Sequence, residues 1–213
     1  MSDDRNARWY LKLLGPNLKG KPFGWVDPSA MYVNARALNA LLDDLMAPFK
    51  PEDIDVIVAT EPLGFVLGAA IAARMRKGIV TIRKAGTVSA PSERVDFEDA
   101  KAGAVGQLEM RKPAFRPGTR VLLVDQWVES GGAMRGAIKL VECQGGIVAG
   151  IATVCIEESP ANLRFRENYT CATAVLPDTE LQRQCNAKRL SSFDGFNWED
   201  ILPEIGGTVA YGA

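Results

Sequence analysis

Apolar positions along the chain fall into two alternating patterns. Ile54-Asp55-Val56-Ile57-Val58-Ala59, Ile79-Val80-Thr81-Ile82, Val121-Leu122-Leu123-Val124 and Ile147 to Ile156 are short runs, largely unbroken and rich in apolar residues. Such runs predict strands buried on both faces. Between them, apolar residues return at helical spacing. Leu38, Leu41, Leu42 and Leu45 mark a helix from Asn34 to about Ala47, ended by Pro48 and Pro51. Gly64 to Arg76 predicts a second helix. Gly131 to Cys143 predicts a third, with Met134, Ile138 and Val141 on one side and Gly145-Gly146 after it. Gln107 to Met110 predicts a short strand, Ala172 to Leu176 another, and Arg116 to Thr119 a turn. Residues 85–103 mix Gly, Ser, Pro and charges without a period and predict a long loop. The first thirty residues are broken up by Gly and Pro, and little pattern is left after Pro177. Alternating strands and helices predict an α/β fold with a mainly parallel central sheet flanked by helices. Such sheets bind ligands at the carboxyl ends of their strands, so the residues directly after each strand are the informative ones.

Composition narrows the chemistry. The chain has 213 residues, of which 47% are hydrophobic and 24% charged, the make-up of a soluble globular domain. A net charge of −1 gives no electrostatic footprint for nucleic acid or an anionic membrane, so neither partner is expected. No stretch reaches the roughly 18 apolar residues of a membrane span. There is no histidine, which excludes Ser-His-Asp and Cys-His triads and His-ligated metals. Cys143, Cys155, Cys171 and Cys185 form no CxxC pair, and Cys143 and Cys155 read as small core residues. The polar start Met1-Ser2-Asp3-Asp4-Arg5 has no apolar h-region, and a cytoplasmic, reducing location is expected.

Three strand-ending segments carry candidate chemistry: Thr60-Glu61-Pro62-Leu63-Gly64, Arg83-Lys84-Ala85-Gly86, and Asp125-Gln126-Trp127-Val128-Glu129-Ser130-Gly131-Gly132-Ala133. In the third, a Ser-Gly-Gly turn opens a helix. Unpaired N–H groups and the helix dipole favour an anion there, and glycines let it approach the backbone. Asp125 stands where a carboxylate can accept hydrogen bonds from sugar hydroxyls. No Gly-Lys-Ser/Thr follows, and no GxGxxG is present, so neither a P-loop nor a Rossmann site is supported.

Val121 to Ala133 resembles the signature of type I phosphoribosyltransferases that binds 5-phosphoribosyl 1-pyrophosphate (PRPP); the adenine-using members, with Val-Asp-Asp-x-x-Ala-Thr-Gly-Gly-Thr, are nearest. Thr60-Glu61-Pro62-Leu63-Gly64-Phe65-Val66-Leu67-Gly68 is similar to their Glu-Ala-Arg-Gly-Phe-x-x-Gly loop, and Ile82-Arg83-Lys84 to their Ile-Arg-Lys. Leu108-Glu109 and Pro117-Gly118-x-Arg120-Val121 also fit. The resemblance spans roughly residues 23–160, in order. It implies a single domain, with a hood at about 1–30, an α/β core at 31–180 and a tail at 181–213. It implies transfer of 5-phosphoribosyl from PRPP to a purine-type base, adenine or a related one, with Mg²⁺ and in a homodimer. Glu129, Ser130, Gly131, Gly132 and Ala133 would surround the 5′-phosphate. Asp125 and Gln126 would face the ribose, Asp125 also serving the metal. Glu61, Pro62, Leu63, Gly64, Arg83 and Lys84 would meet pyrophosphate, and Phe23, Trp25 and Val26 the base. Residues 87–103 would form a flexible lid with Glu98 as the catalytic acid, although Glu93, Asp96 and Asp99 compete for that role. The family's loop tends to hold a cis peptide, and proline lowers the cost of cis, so Glu61–Pro62 is expected to be cis.

The departures are as informative. Gln126 replaces the second acid of the signature, Ala133 loses a hydroxyl, and Glu129 stands where a small residue is common. Leu63 replaces an arginine, and the lid lacks the family's Glu-Tyr-Gly. These changes leave a second reading open, a non-catalytic regulator that binds PRPP or a nucleotide on the same fold.

Overall fold

The structure is a computed structural model that describes residues 8–17, 26–99 and 103–202; Phe23 and Trp25 lie outside them. The chain divides into two compact units, Leu45–Thr173 and a second formed by Met1–Asp44 with Ala174–Ala213.

The larger unit is built on strand β3 (Val56–Thr60) and its neighbours β4 (Gly78–Lys84) and β7 (Arg120–Val124), with β9 (Ile147–Thr153) and β11 (Cys171–Thr173) beyond β7. All five are parallel, and Val58 of β3 sits opposite Val80 and Leu123. Val121, Leu122, Leu123 and Val124 are all 0% exposed, which explains the unbroken apolar run: both faces of the strand are covered. Helices α3 (Gly64–Met75) and α4 (Gly132–Cys143) follow β3 and β7 in βα units. Leu67 and Ile71 of α3 and Met134, Ala137 and Val141 of α4 are buried, the faces that the spacing marks out. The expected α/β architecture with a mostly parallel sheet is the one observed.

The region 85–103 differs from the long loop expected of it. Ser92–Asp99 forms strand β5, antiparallel to β6 (Ala104–Arg111) over eight residue pairs, and β6 is antiparallel to β4 at the sheet edge. Only Val95 and Phe97 point inward here, against α4, and charged residues alternate with them. Two apolar positions among charges give too weak a period to read. The run Ile147 to Ile156 is likewise two strands: after Thr153 the chain shifts to β10 (Cys155–Ile156), which pairs with β8 (Trp127–Val128) in a separate parallel ladder. Pro160–Asn168 forms α5, an element the periodicity does not reveal, because Phe165 is its one buried large apolar residue. Cys155 is buried, whereas Cys143, at the end of α4, is exposed and no part of the core.

The smaller unit contains a 3₁₀ turn (Trp9–Leu13), the two-residue pair β1 (Gly15–Pro16) and β2 (Val26–Asp27), α1 (Ala30–Val33), and α6 (Glu180–Asn186). α2 (Ala35–Met46) begins in this unit and ends in the larger one. Asn34 caps α2 by accepting from the N–H groups of Arg36 and Ala37 at 3.0 and 3.2 Å. Tyr10 is buried and its hydroxyl donates to Asp44; burial raises its pKa far above the usual phenol value. Phe196 and Trp198 pack edge to face at 4.9 Å over Gly15. The tail after Pro177 thus holds α6 and two 3₁₀ turns rather than an unpatterned coil.

Candidate active site

β7, β3 and β4 are neighbours in the sheet, so the turns leaving their carboxyl ends lie side by side. After β3, the Glu61–Pro62 peptide is cis, as expected. Gly64 then opens α3. A Cβ on Gly64 would lie 3.0 Å from the Val124 carbonyl oxygen and 3.1 Å from Asp125 Cα, so the first turn rests directly on the third.

The Glu61 carboxylate reaches across to the end of β4. It accepts from the Lys84 N–H at 2.8 Å and from Arg83 Nε at 3.3 Å. Arg83 also donates through Nη1 to the Thr87 carbonyl at 3.1 Å. Successive strand residues face opposite sides, so Arg83 is turned to Glu61 and Thr87 while the Lys84 side chain lines the cleft described below. The Arg83–Glu61 pair is partly exposed and adds little stability.

The third turn is tied down from behind. The Gln126 carbonyl accepts from the Val154 N–H and Thr153 Oγ1, at 3.0 and 2.9 Å. The Glu157 N–H donates to the Val128 carbonyl at 2.9 Å, and Trp127 Nε1 donates to the Glu157 carboxylate at 2.7 Å. Asn162 Nδ2 donates to the carbonyls of Glu129 and Glu157, at 2.6 and 2.8 Å. Gly131 turns at φ +78°, a conformation suited to glycine. Its missing Cβ would fall 2.2 Å from Asn162 Oδ1, and that of Gly132 2.1 Å from the Glu98 carbonyl oxygen. The Gly132 N–H is 3.4 Å from Ser130 Oγ, and the N–H groups of Ser130 and Gly131 make no bond to the protein among the described residues. The result is an open arc of donors at the N-terminus of a twelve-residue helix, suited to a phosphate.

A cleft of about 360 Å³ opens in front of this arc. Of the residues expected to form a site, Asp125, Gln126, Glu129, Ser130, Gly131 and Ala133 line it from the third turn. Glu61, Pro62, Leu63 and Lys84 line it from the other two, and Glu98 from β5, beside the half-buried Phe97. Gly64, Gly132 and Arg83 are not among the residues that line it. Val26 is buried on β2 in the smaller unit. A more open hollow of about 510 Å³ beside Arg166 to Cys171 holds none of the expected residues.

Glu109, matched in sequence only as part of the resemblance, has a structural part that its residue type does not reveal. Its side chain is 0% exposed and accepts from the Thr87 and Val88 N–H groups at 2.7 Å each, from Ser92 Oγ at 3.0 Å and from Arg94 Nε at 3.1 Å. These donors, the Val88 N–H foremost, hold its carboxyl down to about 2 against the cost of burial. Glu109 thereby anchors the approach to β5, the strand that carries Glu98. Asn162 and the Trp127–Glu157 pair were also missed. The one cue was Ser159-Pro160, an N-cap followed by proline at the first helical position.

Parallel strands, glycine-opened helices and a candidate site at the carboxyl edge of the sheet define an α/β protein of the class that binds its ligands at strand ends. The family model for the phosphoribosyl transferase domain matches residues 30–179, and the chain belongs to that family. An adenine phosphoribosyltransferase of Sorangium cellulosum is 40% identical over 128 residues, which are 60% of this chain and 63% of that protein, so the chain spans under two thirds of that relative. The crystal structure of adenine phosphoribosyltransferase from Thermoanaerobacter pseudethanolicus matches with a TM-score of 0.70 and 27% identity, over 78% of this chain and 96% of that one. That of the Saccharomyces cerevisiae enzyme, solved with adenine and an imino-altritol bisphosphate, matches with a TM-score of 0.66 and 26% identity, over 78% of this chain and 98% of that one.

Proposed function

We propose that the chain transfers 5-phosphoribosyl from PRPP to adenine or a closely related purine, releasing pyrophosphate and a nucleoside monophosphate. The arc of donors at Ser130 to Gly132, facing a cleft that Asp125 and Lys84 also line, is the observation that carries this reading. The names of the relatives, all adenine phosphoribosyltransferases, support adenine as the base.

In this reading the Ser130 to Ala133 arc holds the 5′-phosphate and Asp125 accepts hydrogen bonds from the ribose hydroxyls. Lys84, which pairs with no carboxylate among the described residues, neutralises the departing pyrophosphate. Attack of a base nitrogen on the anomeric carbon passes through an oxocarbenium-like state, and the protein's part is placement, charge neutralisation and exclusion of water. Glu98 at the cleft rim is the acid that meets the base. Mg²⁺ is held by one or two carboxylates together with substrate oxygens, a demand that Asp125 fits. When bound it offsets the charge of the pyrophosphate. The chain works as a cytoplasmic homodimer; among the described residues no helix is long and apolar enough to cross a membrane.

Purified protein supplied with PRPP, Mg²⁺ and a panel of bases should release pyrophosphate with adenine and form the matching monophosphate. PRPP binding without turnover on any base would sink the enzyme reading and leave the regulator.

A further inference from the structure

We infer that Asn162 is a positioning residue that aims the phosphate-binding turn; this rests on the reading of Ser130 to Gly132 as the 5′-phosphate site. Asn162 is 1% exposed and sits in the first turn of α5. Its place is set by its own helix: its N–H donates to Ser159 Oγ at 3.2 Å, the N-cap bond that starts α5. From there Nδ2 reaches the carbonyls of Glu129 and Glu157, which belong to two different connections.

The bond to Glu129 has a directional consequence. A trans peptide is planar, and its carbonyl and N–H point in opposite directions. Holding the Glu129 carbonyl toward Asn162 therefore points the Ser130 N–H the other way. Ser130 lines the cleft and Asn162 does not, and the Ser130 N–H makes no bond to the protein among the described residues. Asn162 thus fixes the direction of one phosphate donor without touching the phosphate.

The second feature lies on the other end of the same amide. Asn162 Oδ1 is buried without a hydrogen-bond partner, and it occupies the space into which a side chain at Gly131 would project. A buried acceptor left unpaired costs stability, so its placement calls for a reason. The two donations of Nδ2 supply one: they fix the amide plane and leave Oδ1 against Gly131. The turn is gripped through the Glu129 carbonyl and backed at Gly131 by one side chain.

The test uses ribose 5-phosphate as probe, by calorimetry, on the full chain. Asn162→Leu keeps the branching at Cγ in a bulkier side chain and removes the donors; Asn162→Asp keeps the size and shape and removes the donors. Each should weaken ribose 5-phosphate roughly tenfold or more, the usual effect of losing a well-aimed bond to a charged group. In turnover each should raise KM for PRPP while KM for the base stays within about twofold, a split that a general loss of packing does not produce. Melting temperature selects variants that fold. Wild type failing to bind ribose 5-phosphate would overturn the site itself. Wild-type binding, with equal binding by either folded variant, would overturn the role of Asn162 alone.

Discussion

A methyl group on Gly131 would meet Asn162 Oδ1 at 2.2 Å, Arg135 Nη1 at 2.8 Å and Phe165 Cε2 at 2.9 Å. Two of these neighbours are buried, and the backbone at Gly131 has a φ of +78°, which costs a non-glycine residue about 1–2 kcal/mol before any clash. Gly131→Ala should therefore displace the turn and raise KM for PRPP at least about tenfold. Steady-state kinetics with PRPP varied would check this, and an unchanged KM would remove the turn from the site. The glycine itself was legible, because Ser-Gly-Gly after an apolar run and an acid is a local pattern. Asn162 was not. It arrives some thirty residues later on a helix with almost no apolar period, and its worth lies in a contact that folding makes.

At the scale of elements, the strand carrying Glu98 is the part least visible in sequence. β5 lies close along α4: Gly132 leaves no room for a side chain against the Glu98 carbonyl oxygen, and a Cβ on Gly136 would crowd Phe97 Cβ at 3.2 Å. The order of 87–94 rests on Glu109, whose carboxyl titrates near 2 in place of its usual 4.5. A carboxyl whose folded pKa is depressed stabilises above its unfolded pKa, and that contribution is lost as pH falls through the folded value. Acid should thus loosen this arm between about pH 4.5 and 2. Glu109→Gln should speed amide exchange at Thr87 and Val88 near neutral pH and flatten the acid response in that window. Exchange rates equal to wild type would show that the arm is held by something else. The strands β3, β4 and β7 could be read because unbroken apolar runs have one common meaning in an alternating chain. β5 could not, because the salt bridge from Arg94 and the inward Glu109 look like surface charges until they are folded.

At the scale of the whole molecule, exposed apolar surface bears on assembly. Val66 on α3 is 43% exposed and Ile79 on β4 is 39% exposed, apolar surface beside the strand that ends in Arg83 and Lys84. Light scattering should give twice the 23.1 kDa chain mass, and a single-chain mass at tens of micromolar would refute the homodimer. The fold class was evident from the pattern as a whole, whereas the division at Asp44 and Ala174 was not, since it follows from which segments pack together. The contact of Gly64 with Val124 and Asp125 bears on how such a chain can diverge. Two main chains touching with no side chain between them set a fixed gauge between the first turn and the third, the places that the proposed function gives to pyrophosphate and to sugar. Side chains on the rim, such as Leu63 and Gln126, can then change in kind without altering that gauge. On the proposed function, a lineage built this way can exchange one acceptor base for another while the bond being broken stays where it is.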